Sequence, residues 1–139
     1  MQRYRAKISG PILDRIDMRI EVVMPPPERV GKPGDPADTE RLRQRIAAAR
    51  GRQVQRYSQL DGVHCNAQAG PQARRDLLRP RREAADLLRR AMSRWNLSVR
   101  AYERTLAVAR SIADLDGASD VDVRHVAEAL QYRLESNIA

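Results

Sequence analysis

Arg100 stands two residues after Ser98, a hydroxyl residue suited to cap the helix that Tyr102, Leu106, Ala109, Ile112 and Ala113 predict by their spacing. The first turn of a helix carries unpaired amides and the positive end of the macrodipole, so it disfavours a cation. A bound anion reconciles the two, because a phosphate placed there meets the amides and the guanidinium together. The plainer alternative is a side chain extended into solvent. Arg15 poses a related question between Asp14 and Asp17 in the run Leu13-Asp14-Arg15-Ile16-Asp17. It could pair with either carboxylate. An exposed arginine on such a corner could also reach a phosphoryl-transfer site in a neighbouring subunit, where negative charge develops in the transition state.

Other chemistry is poorly supplied. No GxxxxGK[ST] loop occurs in the sequence, so hydrolysis of a nucleotide in cis has no phosphate cradle, no lysine and no magnesium hydroxyl. No acidic strand-end motif for magnesium is present either. His64 adjoins Cys65, but neighbouring residues rarely ligate one ion together, and His125 is the only other imidazole, so no metal site is expected. No nucleophile elbow accompanies the serines, and His125 suits a capping or surface position at the start of the last helix. Asp14 and Asp17 are too readily neutralised by Arg15 and Arg19 for acid/base work. Taken alone, the chain is not expected to be an enzyme.

The elements that must position these residues are mostly helical. A chain of 139 residues, 42% apolar but 4% aromatic and without Phe, builds its core from Leu, Ile, Val and Ala, which favours packed helices. A helical turn is expected around Ser9 to Asp14. Ile16, Met18, Ile20 and Val22 then alternate with Asp17, Arg19 and Glu21, the pattern of a half-buried strand. Nothing later alternates comparably, so this strand is an orphan whose sheet lies elsewhere. Residues 24–37 hold five of the prolines and two glycines, which excludes regular structure and marks a linker.

Beyond the linker, a first helix is expected from Asp38 or Thr39, with Leu42, Ile46, Ala49 and Val54 inward. A short helix follows from Gln72 to Arg79, closed by Pro80, and a longer one from Arg81 to Trp95 with Ala84, Leu87, Leu88, Ala91 and Trp95 inward. The Ser98 helix ends at Gly117, and a last helix capped by Asp122 turns Val123, Val126, Ala127, Leu130 and Leu134 inward. Single Cys65 permits no intrachain disulfide and suits a reducing cytoplasm, and no stretch approaches a membrane span. A cytoplasmic protein is expected. The net charge of +8, almost all Arg with Lys7 and Lys32 the only lysines, leaves a polyanion partner open.

Several segments carry a resemblance. ISGPILDRIDMRIEV from Ile8 to Val22 is similar to the end of the ATPase core in the magnesium-chelatase family of AAA+ proteins, especially its ComM-like branch. Asn66-Ala67-Gln68, SVRAYERTLAVARSIADLDG from Ser98 to Gly117 and HVAEALQYR from His125 to Arg133 resemble the C-terminal domain of that family in the same order. The resemblance implies three regions: a remnant of the ATPase core over 1–23, the linker over 24–37, and a helical lid of four to five helices over 38–139. It implies that Arg15 is an arginine finger offered to ATP in the adjacent subunit and that Arg100 is a sensor-2 arginine on the lid helix. Ser9, Gly10 and Pro11 would position the finger, while Tyr102 and Leu106 would anchor the sensor helix. ATP and magnesium would be cofactors of the parent protein, not of this chain alone. Its implied partners are the ATPase core of the same protein, the neighbouring protomers of a hexameric ring, and DNA, which the ComM-like branch remodels; true chelatase subunits insert magnesium into porphyrin. One departure stands out: Pro71 to Arg82 is more basic than the family, which places acidic residues where the helix begins near Arg81. The rival from another class is a free-standing basic helical module that binds nucleic acid through the Ser98 helix or the Arg-rich stretch from Arg41 to Arg56.

Overall fold

The computed structural model describes residue 12 and residues 15–134. The described residues hold the helices α1 (Pro36–Arg56), α2 (Pro71–Leu77), α3 (Arg82–Trp95), α4 (Val99–Leu115) and α5 (Val123–Leu134), with a 3-10 turn at Pro27–Arg29 in the Pro-rich segment. The mostly helical class expected from composition is therefore the observed one. The expected turn around Ser9 to Asp14, Ile12 apart, and the side chain of Leu134 lie outside the described residues.

The long helix α4 is the axis of the bundle. It packs against α5 along one side and against α1 and α2 elsewhere, while α3 packs on α5. Being covered from several directions, α4 buries residues round most of its circumference: Ala101, Thr105, Leu106, Ala109, Ile112 and Ala113, but also Arg110 and Asp114. The Ser98 hydroxyl caps it by accepting from the Ala101 amide at 3.1 Å, and Gly117 ends it with a φ of 73° that a side chain would strain. Leu88 and Ala84 of α3, Val126, Ala129 and Leu130 of α5, and Tyr57, Leu78 and Val121 from the loops complete the core.

Helix α1 departs from expectation. It begins at Pro36, two residues before Asp38, because Asp35 caps it: the Asp35 carboxylate accepts from the Ala37 amide at 2.8 Å and Pro36 occupies the first helical position. Its buried residues are Ala49 and Gln53, while Leu42 and Ile46 are each 54% exposed and Val54 50%. At 21 residues α1 runs for about 32 Å, and residues 36–48 are all exposed, so nothing among the described residues covers Leu42 and Ile46; Val54, further along, is turned away from the side that carries Ala49 and Gln53. Trp95 and Val123 also face outward, at 43% and 44% exposure, each at the end of its helix, and the Arg94 guanidinium lies 5.9 Å from the centre of the Trp95 ring.

The alternating run from Ile16 to Val22 forms no strand, nor does any other part of the described residues. It has no edge to pair with, and Ile20 and Val22 are exposed. It does fold back on the bundle: the Arg19 amide donates to the Tyr132 carbonyl at 2.8 Å at the end of α5. A single parallel bridge joins Pro80 to Val121, and Arg81 pairs with Asp120 and Asp122 at 3.0 and 3.3 Å. That accounts for the unusual base where α3 begins. Arg81 occupies the N-cap position without capping by its side chain, and ties the loop before α3 to the loop before α5. Among the described residues no helix is long and apolar enough to cross a membrane.

Candidate functional site

Ser98 and its cap place Arg100 in the second position of α4, where the amides of the first turn have no acceptor within the helix. The Arg100 side chain is exposed and makes no hydrogen bond or ion pair among the described residues. One turn further along, Arg104 is different: its guanidinium is paired with the Asp17 carboxylate from the N-terminal arm. Arg15 lies two residues before Asp17, exposed and with no side-chain partner among the described residues. Asp17 is engaged with Arg104 instead. The two arginines are thus carried on segments that touch each other at the Asp17–Arg104 pair, and both guanidinium groups stand in solvent.

The second feature is a buried polar network at the other end of α4. Asp114 is fully buried, and its carboxylate accepts from Arg56 Nη1 at 2.9 Å, Asn66 Nδ2 at 3.0 Å and Arg110 Nε at 3.2 Å. Asn66 is the hub: its Oδ1 accepts from Arg56 Nη1 and from the Tyr57 hydroxyl, both at 3.0 Å, while its Nδ2 also donates to Ser111 Oγ at 3.0 Å. Arg110 spends its remaining donors on the carbonyls of Ser119 and Ala118, at 2.8 and 2.6 Å, and so fixes the turn after α4. From outside, Arg52 Nη1 donates to the Asp114 carbonyl at 3.0 Å.

Charge in this network is set by competition. Burial pushes the Asp114 carboxyl up, but hydrogen bonds from Arg56 and Asn66 and the charges of Arg110 and Arg56 outweigh it and hold it below the ordinary carboxylate range. Burial pulls Arg56 down, yet its bond to Asp114 and that carboxylate's charge leave it raised. For Arg110 burial wins, helped by the charge of Arg56, and its value is lowered despite Asp114. Each carboxylate oxygen is occupied and none is open to solvent, so the network joins α1, the Asn66 loop and α4.

Of the other candidates, His125 does cap, but from inside: it is 1% exposed, and its Nδ1 accepts from the Asp122 amide at 2.9 Å. Its Nε2 faces the Asp116 carboxylate at 3.4 Å. His64 is exposed and Cys65 half-buried; the His64 amide donates to the Gln68 side chain at 2.8 Å, which folds the loop that presents Asn66. Among the described residues no three His, Cys, Asp or Glu groups are placed to hold a metal ion.

Residues 36–133 match the family described as magnesium chelatase, subunit ChlI C-terminal, and residues 1–30 match the companion family, magnesium chelatase, subunit ChlI. The chain belongs to the magnesium-chelatase family. The C-terminal match runs from the first residue of α1 to the last turn of α5. Among its relatives are the protein YifB of Escherichia coli, 37% identical over 94% of the chain, and a protein of Mycobacterium bovis, 41% identical over 95%. The competence protein ComM of Haemophilus influenzae is 36% identical over 96%. The chain spans only about a quarter of each, 25%, 26% and 25% of their lengths respectively.

Arg56, Asn66, Arg110 and Asp114 had no role assigned from sequence, although Asn66 falls in a segment that resembles the family. One signal was available: Arg110 stands four residues after Leu106 and Asp114 seven after Ala107, so helical spacing sets both beside buried apolar positions of α4.

Proposed function

We propose that this chain is the lid of a magnesium-chelatase-like AAA+ ATPase, with Arg100 as the sensor-2 arginine and Arg15 as the arginine finger acting in trans. The carrying observation is Arg100 itself. It is an unpaired cation at the amide end of the central helix, the place where an anionic phosphate would satisfy guanidinium and amides together. The anion would be ATP, with magnesium, bound by the ATPase core of the same protein. Neighbouring protomers of a hexameric ring would complete each site, so that hydrolysis moves the lid. Kinship with a competence protein and the net charge of +8 support DNA as the object remodelled, as against a porphyrin.

Arg100→Ala in the full-length protein tests this directly. Turnover is expected to fall by about tenfold or more, with far-UV circular dichroism unchanged. ATPase activity at the wild-type rate removes Arg100 from the site. Arg15→Ala is expected to abolish activity in uniform rings, with partial recovery in mixed rings where an intact neighbour supplies the finger. If instead residues 38–139 alone bind duplex DNA at nanomolar concentration with steep salt dependence, the free-standing nucleic-acid module is the better account.

A further inference from the structure

The arm that carries Arg15 is attached to the bundle by a compact set of bonds. Asp17 is paired with Arg104 of α4, with side chains 40% and 24% exposed. The Arg19 amide donates to the Tyr132 carbonyl at 2.8 Å and the Arg19 guanidinium to the Arg133 carbonyl. Arg133, itself buried, donates from Nη1 to the Ile16 carbonyl at 3.4 Å. The arm thus meets the last turn of α5 at the Tyr132 and Arg133 carbonyls, while Asp17 holds the flank of α4. On either side of the clasp the two arginines assigned to ATP are left free: Arg15 two residues before Asp17, and Arg100 one turn before Arg104.

We propose that Asp17 and Arg104 are positioning residues that fasten the Arg15 segment to the Arg100 helix, so that the two arginines move as one unit when the lid moves. This rests on the assignment of Arg15 and Arg100 given above. A rotation of α4 on nucleotide binding or release would then carry Arg15 with it and pass the state of one ATP site to the next. The clasp suits the purpose because it is partly exposed and ionic: it holds a geometry, and its removal leaves the apolar core intact.

The test uses Asp17→Asn, Arg104→Gln and the reversed pair Asp17→Arg with Arg104→Asp. In the full-length protein each single change is expected to lower kcat by about tenfold while KM for ATP stays within about twofold, as misplacement of a catalytic group should. The reversed pair is expected to recover most of the loss. Single variants at wild-type kcat, or a reversed pair no better than the singles, overturn the proposal. Hydrogen exchange of the Arg19 amide in the 139-residue chain reads the clasp without ATP. Asp17→Asn should speed it by about fivefold with the α4 core amides unchanged. Unchanged Arg19 exchange means that the pair does not hold the arm, and the proposal fails. Faster exchange with unchanged ATPase, in a protein whose Arg15→Ala variant is also fully active, locates the failure in the finger assignment.

Discussion

Replacing Asp114 by Asn should remove much of the stability of the bundle although it changes one atom's identity and almost no volume. The carboxylate is fully buried between Arg110, whose side chain is 3% exposed, and Arg56, at 15%. In the variant an amide NH2 must replace one oxygen. If it takes the place of Oδ2, it meets Arg56 Nη1 at 2.9 Å and Asn66 Nδ2 at 3.0 Å, donor facing donor; if flipped, it meets the guanidinium groups of Arg56 and Arg110 on the other side. Either way two buried cations lose their counter-ion. Breaking a buried pair from one side typically costs about 3–5 kcal/mol, and a chain of this size shifts by about 4 °C per kcal/mol, so Tm should fall by about 12 °C or more. Thermal and urea unfolding followed by circular dichroism at pH 7 measure it, and an Arg56→Gln/Asp114→Asn cycle should show a coupling above about 1 kcal/mol. A loss below about 1 kcal/mol, the range of exposed pairs, refutes the claim that this network holds α1 to α4.

The same carboxylate gives a pH dependence of known sign. Its value is lower in the folded chain than the ordinary ~3.9 of an unfolded Asp, so its contribution is fully present above that value and disappears as pH falls through the native one. Stability should therefore drop below about pH 4, and Asp114→Asn should flatten that limb of the profile; identical acid profiles for the two proteins exclude Asp114 as the cause. Gly117→Ala forces a φ of 73° on a residue with a Cβ, which would lie 3.1 Å from Arg52 Nη2, an end held by its partner Nη1 on the Asp114 carbonyl. A loss of about 1 kcal/mol is expected in the urea midpoint, and an unmoved midpoint shows that the turn after α4 is not held in this conformation.

What could be read from sequence follows the strength of local signals. Ser98 as a cap, Gly117 as a stop and the apolar spacing between them define α4 almost to the residue, because capping and helical periodicity depend on neighbours in the chain. Ala84, Leu88 and Ala91 were assigned inward for α3 on the same grounds. For α1 the spacing of Leu42 and Ile46 was sound, yet both are exposed. Periodicity tells which face of a helix is apolar, but not how far a partner extends along that face. The orphan strand shows the corresponding limit for sheets. Alternation marks a segment able to pair, and pairing needs an edge that the described residues do not provide.

The buried network was harder for another reason. Arginines and aspartates are nearly always solvated, so Arg56, Arg110 and Asp114 look like surface, and only their convergence from α1 and α4, with Asn66 arriving from a loop, makes burial tolerable. The bonds to Asp114 span 58 residues from Arg56 and 48 from Asn66, while the Arg56–Asn66 step spans ten and the Arg110–Asp114 step four. The candidate arginines show the reverse case. Arg15 and Arg100 are conspicuous because their surroundings in the sequence do not explain them, and in the folded chain their side chains remain without partners among the described residues.

These two arrangements together constrain how α4 can move. At its C-terminal end Arg52 and Arg56 of α1 grip the Asp114 backbone and side chain; nearer its N-terminus Arg104 is held by Asp17 of the arm. Both grips come from segments that precede the core of the bundle in sequence, the arm and the helix that follows the Pro-rich linker. A helix gripped at both ends transmits rotation along its length, since its backbone bonds resist bending within so few turns. Displacement of α1 or of the arm must therefore appear in the first turn of α4, where Arg100 stands. The burial of Asp114 makes one grip firm, and the partial exposure of the Asp17–Arg104 pair makes the other weaker. Of the two, the Asp17–Arg104 pair should open first on heating or in urea, before the Asp114 grip gives way.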